Sequence, residues 1–257
     1  MFLLKYIMRP LLYLRYWFHR VTRTGSFGPG RARQVRASSR TRPGTDSRNP
    51  VKAGLFRHHV KQFHESSCSV ASVAGVVNTL LEIQGRLNSK PVTQLQLLDR
   101  VRAAHWKERM GPRGYQGRRG LPLEVLGRVV EASLQVYGIT YKSVDIVRAR
   151  RSAANAPAIR RRLLARLEGC ENTGSGIIIA HFDQGSFVPE LNIPHISPVG
   201  GFDPATRTVT VLDVDPYQPR PYQVSFDTFY SGISTHYQHI FHHFGYGRGG
   251  YIYIRLK

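Results

Sequence analysis

The stretch KQFHESSCSVASVAGVVNTLLE, Lys61 to Glu82, constrains the fold more than any other part of the chain. Ser66 and Ser67 are good N-cap residues. After them Val70, Val73, Ala74, Val77, Leu80 and Leu81 recur at helical spacing, and the residues between are small. A helix of this composition offers almost nothing to water, so it belongs at the centre of a globular domain. Cys68 falls in its first turn. Unpaired backbone N–H groups and the positive end of the helix dipole favour an anion there, a setting in which cysteines become nucleophiles. A small buried cysteine without reactivity is the plainer reading of the same position.

A second stretch, HISPVGGFDPATRTVTVLDV, reads as a β-hairpin. Two apolar, β-branched runs flank Asp203-Pro204, a turn signal. With Pro204 at the tip, His195 faces Asp213, Ser197 faces Val211 and Val199 faces Val209. Opposed residues on one face have Cβ atoms about 5 Å apart, so an imidazole would meet a carboxylate able to fix its tautomer and stabilise its protonated form. A register slip would undo the pairing.

The chain has 257 residues and a formal charge of +21, unevenly spread. Residues 1–61 hold 14 of the 37 Lys and Arg against a single acid, Asp46. Residues 1–21 are apolar but broken by Lys5, Arg9 and Arg15, too often for a membrane span. At helical spacing their cations gather on one arc. That pattern suits a segment lying in an anionic membrane interface, or a targeting segment. Residues 22–50 read as a disordered basic linker, with a catalytic-sized domain over 51–257. A further basic run, VRARRSAANAPAIRRRLLARLEG, reads as a loop and a basic amphipathic helix; no aromatics interleave it to suggest nucleic-acid binding. The two cysteines, Cys68 and Cys170, form no C-x-x-C, so neither a disulfide framework nor a thiolate metal site is indicated, and a reducing compartment fits. On a helix His236, His239 and His243 would share one face, making them the candidates for a metal site, with a surface histidine patch as the plainer reading.

A cysteine opening a helix, then after a long gap a histidine and an aspartate on neighbouring strands, is the order of papain-like cysteine enzymes. Gln62, six residues before Cys68, stands where such enzymes place an oxyanion donor. The segments QFHESSCSVASVAGVVNTL, RRGLPLEVLGRVV, HISPVGGFDPATRTVTVLDV and RGGYIYI together resemble the catalytic domain of phytochelatin synthases, the glutathione γ-glutamylcysteinyltransferases, in their short bacterial form. The resemblance implies an α+β, papain-like cysteine protease fold: a helical lobe carrying the nucleophile, packed on an antiparallel sheet carrying His and Asp. It implies Cys68 as nucleophile, His195 as general base and acid, Asp213 as its orienter and Gln62 as oxyanion donor. The substrates it implies are glutathione and γ-glutamyl peptides. No cofactor is needed for the chemistry, and a divalent heavy metal (Cd, Zn) enters as a metal-thiolate substrate or an activator. The chain departs from the family in carrying Ser69 after the cysteine where Gly is usual. It has Pro216 and Gln218 where two cations usually follow the Asp, and Arg220 is the nearest candidate to bind a substrate carboxylate. AHFDQGSF also lacks an arginine usual in that segment. The competing functions are a papain-like peptidase for another peptide and a non-enzymatic basic protein docking on membrane or nucleic acid.

Overall fold

The helix expected after Ser67 runs Cys68–Ile83, and every residue from Ser69 to Leu81 is buried, as its small-residue pattern requires. The structure, a computed structural model, describes residues 49–257 except 65, 88–89, 112, 117–118, 151–153, 188–193 and 235–246. The amphipathic segment 1–21, the linker as far as residue 48, and His236, His239 and His243 lie outside the described residues.

Among the described residues five α-helices come first: α1 (Pro50–Arg57), α2 (Cys68–Ile83), α3 (Gln94–Arg100), α4 (Trp106–Met110) and α5 (Leu123–Val136). There follow β1 (Ser143–Arg148), α6 (Ala156–Thr173), β2 (Gly176–Asp183), β3 (Pro194–Asp203), β4 (Thr208–Val211), β5 (Tyr222–Ser225), α7 (Phe226–Ile233) and β6 (Gly250–Arg255). The strands form one sheet in the order β1-β6-β2-β3-β4-β5, with every neighbouring pair antiparallel. This is the α+β arrangement expected, a helical lobe on an antiparallel sheet.

Asn49 and Pro50, assigned above to the linker, belong to the fold. Asn49 Oδ1 accepts from Lys52 N at 2.9 Å as the N-cap of α1, and its Nδ2 donates to the carbonyls of Cys170 and Glu171 at the end of α6. Pro50 at N1 costs no hydrogen bond.

Both faces of the sheet are covered, which is why β2 is buried along its whole length. Alternation divides its residues: Ile177 and Ile179 face the core shared with α2 and α5, whereas Ile178, Ala180 and Phe182 face the core shared with α6 and α7. Two arginines of the basic helix α6 are spent on packing. Arg166 lies over the rings of Tyr251 and Tyr253, at 5.7 and 4.3 Å, and pairs with Asp145. Arg160 lies 4.8 Å over Phe226 and pairs with Asp227.

Ser69, the departure next to the cysteine, has a structural use. Its hydroxyl accepts from Trp106 Nε1 at 3.1 Å and points its own hydrogen at Met110 Sδ, 3.9 Å away, in a fully buried site. Ser69→Ala leaves the indole N–H buried and unbonded, so unfolding free energy should fall by about 1–3 kcal/mol. A denaturant midpoint unchanged from wild type would show that the indole finds another acceptor.

Candidate active site

Three elements converge on Cys68. It is the first residue of α2, and among the described residues no carbonyl takes its backbone N–H. Ser67 holds the N-cap position, but its hydroxyl bonds back to His64, donating to His64 O at 2.7 Å and accepting from His64 N at 2.9 Å. Cys68 is partly exposed and unpaired with Cys170. The first turn of α2 is tied to the sheet by Ser72, whose hydroxyl donates to Ile196 O at 3.0 Å. That bond fixes the helix start against the strand residue next to His195.

His195 and Asp213 meet. Nε2 of His195 lies 2.8 Å from Asp213 Oδ1, with the ring 5% exposed and the carboxylate not at all. Cys68 is near enough to the ring to raise its pKa, and with Nε2 engaged on Asp213 the nitrogen left for the sulfur is Nδ1. Phe182, paired with His195 across β2 and β3, presents its ring edge-to-face at 5.5 Å.

The route by which they meet differs from the expected register. The hairpin forms, but Val199 pairs with Val211 and Phe202 with Val209, separated by a bulge at Gly200. The turn takes four residues, 204–207, closed by the Asp203 carboxylate on Ala205 N and Thr206 Oγ1, with Arg207 left-handed at φ 52°. His195 and Asp213 are therefore not direct partners in the ladder. Asp213 lies past the end of β4, where the chain leaves the ladder and Val214 N turns to Ser197 Oγ at 3.3 Å. A side chain at Gly200 would sit 2.7 Å from Leu212, so glycine there lets β3 approach the residue that precedes Asp213.

The carboxylate of Asp213 is saturated with donors. Besides His195, Asp215 N donates to Oδ1 at 2.8 Å and Tyr222 Oη donates to Oδ2 at 2.6 Å. Burial alone would raise its pKa; the charge and hydrogen bond of His195, then Tyr222 and the Asp215 N–H, outweigh it and bring it down to about 2. Burial alone would likewise lower His195, but the Asp213 carboxylate and then Cys68 outweigh that and hold the imidazolium well above its ordinary range. Tyr222 is pushed well above the usual phenol range by burial and by the Asp213 and Asp215 charges, so it stays a donor.

The loop after Asp213 is held from the other side. Lys61 Nζ donates to the carbonyls of Asp213 and Gln218, each at 2.6 Å, and a His59 ring nitrogen lies 2.9 Å from Asp213 O. Burial lowers the pKa of Lys61, against the pull of Asp213 and Asp215. Gln62 N donates to Val214 O at 2.8 Å, which sets Gln62 on this same loop. Its amide Oε1 is buried without a hydrogen-bond partner among the described residues. Gln184, in the AHFDQGSF segment, donates to Asp215 Oδ2 at 3.2 Å. Of the residues singled out in the sequence, the structure brings together Cys68, His195 and Asp213, and sets Gln62 against the loop that follows Asp213. Arg220 is exposed and makes no hydrogen bond or ion pair to the group among the described residues. Tyr222, Lys61 and His59 were not anticipated. Tyr222 had a signal: Tyr222, Val224 and Phe226 alternate, and extending the hairpin by one strand pairs Tyr222 with Val211, two residues from Asp213.

The family model for phytochelatin synthase matches residues 48–246, most of the chain. The chain belongs to the phytochelatin synthase family. In general terms this gives it a glutathione γ-glutamylcysteinyltransferase type of function, that of a transferase or cysteine peptidase. No curated protein matches the chain closely enough to add to this.

Tyr222→Phe keeps the ring and removes one donor from a buried carboxylate. As a positioning residue it should cost about tenfold in kcat with KM little changed, since a charge-assisted hydrogen bond of roughly 1.5–3 kcal/mol is partly replaced. The alkaline limb of the pH–rate profile should move as well, because Asp213 acts on the reaction through His195. A stability loss with an unchanged profile would make Tyr222 merely structural.

Proposed function

We propose that this enzyme cleaves the Cys–Gly bond of glutathione through a γ-glutamylcysteinyl thioester on Cys68. The Cys68 thiolate attacks the carbonyl carbon of that bond. The developing oxyanion is met by the Cys68 N–H and the Gln62 amide. His195, as imidazolium, passes its proton to the glycine nitrogen, and glycine leaves. Water or the amine of a second glutathione then attacks the thioester. His195 takes the proton of the incoming nucleophile and Cys68 departs as thiolate. Asp213 holds His195 in the orientation that serves both halves. Heavy metal enters as the metal-thiolate form of the substrate. The observation carrying this reading is the buried His195–Asp213 pair, 2.8 Å between Nε2 and Oδ1, with Cys68 acting on the same ring from the start of α2.

Transfer to a second glutathione needs cations for its carboxylates. Pro216 is exposed and uncharged, Gln218 is buried with its carbonyl on Lys61, and Arg220 is exposed, with no hydrogen bond or ion pair to the site among the described residues. Water should therefore win. Purified full-length chain with millimolar glutathione should release glycine and γ-glutamylcysteine in equal amounts, read by mass spectrometry with and without cadmium. No glycine at all would overturn the function. Chains of two or more γ-glutamylcysteine units, formed faster than γ-glutamylcysteine itself, would overturn only the preference for water.

A further inference from the structure

We propose that a cleft at the far end of α2 is a second binding site, for a small multivalent oxyanion. The cleft encloses about 450 Å³ between the chain following α2, α3 and the end of α5. That size is within the range of small-molecule sites. It begins at Leu81, thirteen residues along α2 from Cys68, so at 1.5 Å per residue it stands about 20 Å from the sulfur. It is separate from the catalytic group and rests on nothing in the glutathione reading.

Its polar lining is Arg86, Lys90, Arg100, Gln96, Gln135 and Tyr137, and no carboxylate lines it among the described residues. The acids nearest in sequence are engaged elsewhere: Glu82 with Arg57 and His58, and Asp99 with Lys107. Helices α2, α3 and α5 all end here, and helix C-termini attract cations. That accounts for Arg86, which donates to Gly138 O beyond the end of α5. It does not use the donors of the other two. Arg100 lies 5.7 Å over the Tyr137 ring, and neither it nor Lys90 meets a carboxylate among the described residues. A guanidinium and an ammonium lining one cleft, with no acid among its described lining residues, match a ligand bearing two or more carboxylate or phosphate groups.

The test is calorimetric titration of the full chain with pyrophosphate and, separately, with citrate, at low ionic strength and against sodium chloride at matched ionic strength. One equivalent of at least one anion should bind saturably. Pyrophosphate alone would mark a phosphate site and citrate alone a carboxylate site. The double variant Lys90→Gln/Arg100→Gln changes only exposed side chains and leaves Arg86 on Gly138. It should bind at least tenfold more weakly, with thermal midpoint and glycine release from glutathione unchanged. Absence of saturable binding of either anion at millimolar concentration would overturn the site, and so would equal affinity in the double variant.

Discussion

Cys68→Ala is expected to abolish glycine release from glutathione, a loss of roughly 10⁴-fold or more, because no other group can form the thioester. The fold should survive. Cys68 is partly exposed at the helix start, and alanine is the best helix former. The bonds that seat α2 are made by Ser67, Ser69 and Ser72, not by the sulfur. The thermal midpoint should therefore stay close to wild type while activity vanishes. His195→Ala should be nearly as severe in rate, but it also leaves Asp213 buried at zero exposure without its counter-ion, so stability should fall too. A matching chemical result is expected from iodoacetamide near neutral pH. It should alkylate Cys68 and spare Cys170, whose thiol burial pushes up to about 12. Ordinary turnover by Cys68→Ala, or faster modification of Cys170, would end the thioester mechanism and favour a non-enzymatic binding protein.

What the sequence disclosed about this site followed from strong local patterns. The helix of Cys68 was legible because small and apolar residues fill all its faces, a pattern that only burial satisfies. The approach of His195 to Asp213 was legible because two β-branched runs flank Asp-Pro. The register was not. A four-residue turn with Arg207 left-handed and a bulge at Gly200 shift the ladder, and neither is dictated by the residues of the turn alone. The shift leaves the pair together only because Asp213 stands beyond the last ladder residue, free to reach back across the strand. Lys61 and His59 could not be read at all. Their roles arise from a segment preceding α2 crossing a loop 150 residues later, a tertiary contact with no sequence period. The arginines of α6 show the same limit: composition marked a basic amphipathic helix, but not that Arg160 and Arg166 stack on aromatics from β6 and α7.

Replacing Asp213 separates orientation from charge, and two substitutions should give different answers. Asp213→Ala removes the acceptor of three donors at once: His195 Nε2, Asp215 N and Tyr222 Oη. The imidazole is then neither oriented nor held charged, and the rate should fall ~10²–10⁴-fold. Stability should fall as well, in a pH-dependent way whose sign follows from the two shifts. Asp213 is depressed to about 2 in the folded protein, so its pairing stabilises above the ordinary carboxylate range and is lost as pH falls toward 2. His195 is raised, so its share is fully present below its ordinary value and is lost as pH rises through the raised one. The wild-type advantage over Asp213→Ala should thus be greatest between those limits, at mildly acid pH. Asp213→Asn should be much milder than alanine. The Oδ1 position faces two donors, one of them the fixed Asp215 N–H, so the amide oxygen belongs there and Nδ2 turns to Tyr222, whose hydroxyl can rotate to accept. His195 keeps its donor on Nε2 and its tautomer; only the charge is lost. Burial then lowers the imidazolium unopposed by the carboxylate, and the alkaline limb of kcat/KM should move to lower pH. Equal rates for the alanine and wild-type enzymes would remove Asp213 from the mechanism. An asparagine variant as slow as alanine, rescued when Tyr222→Phe is added, would show instead that the amide sits reversed, with Nδ2 toward His195 imposing the wrong tautomer.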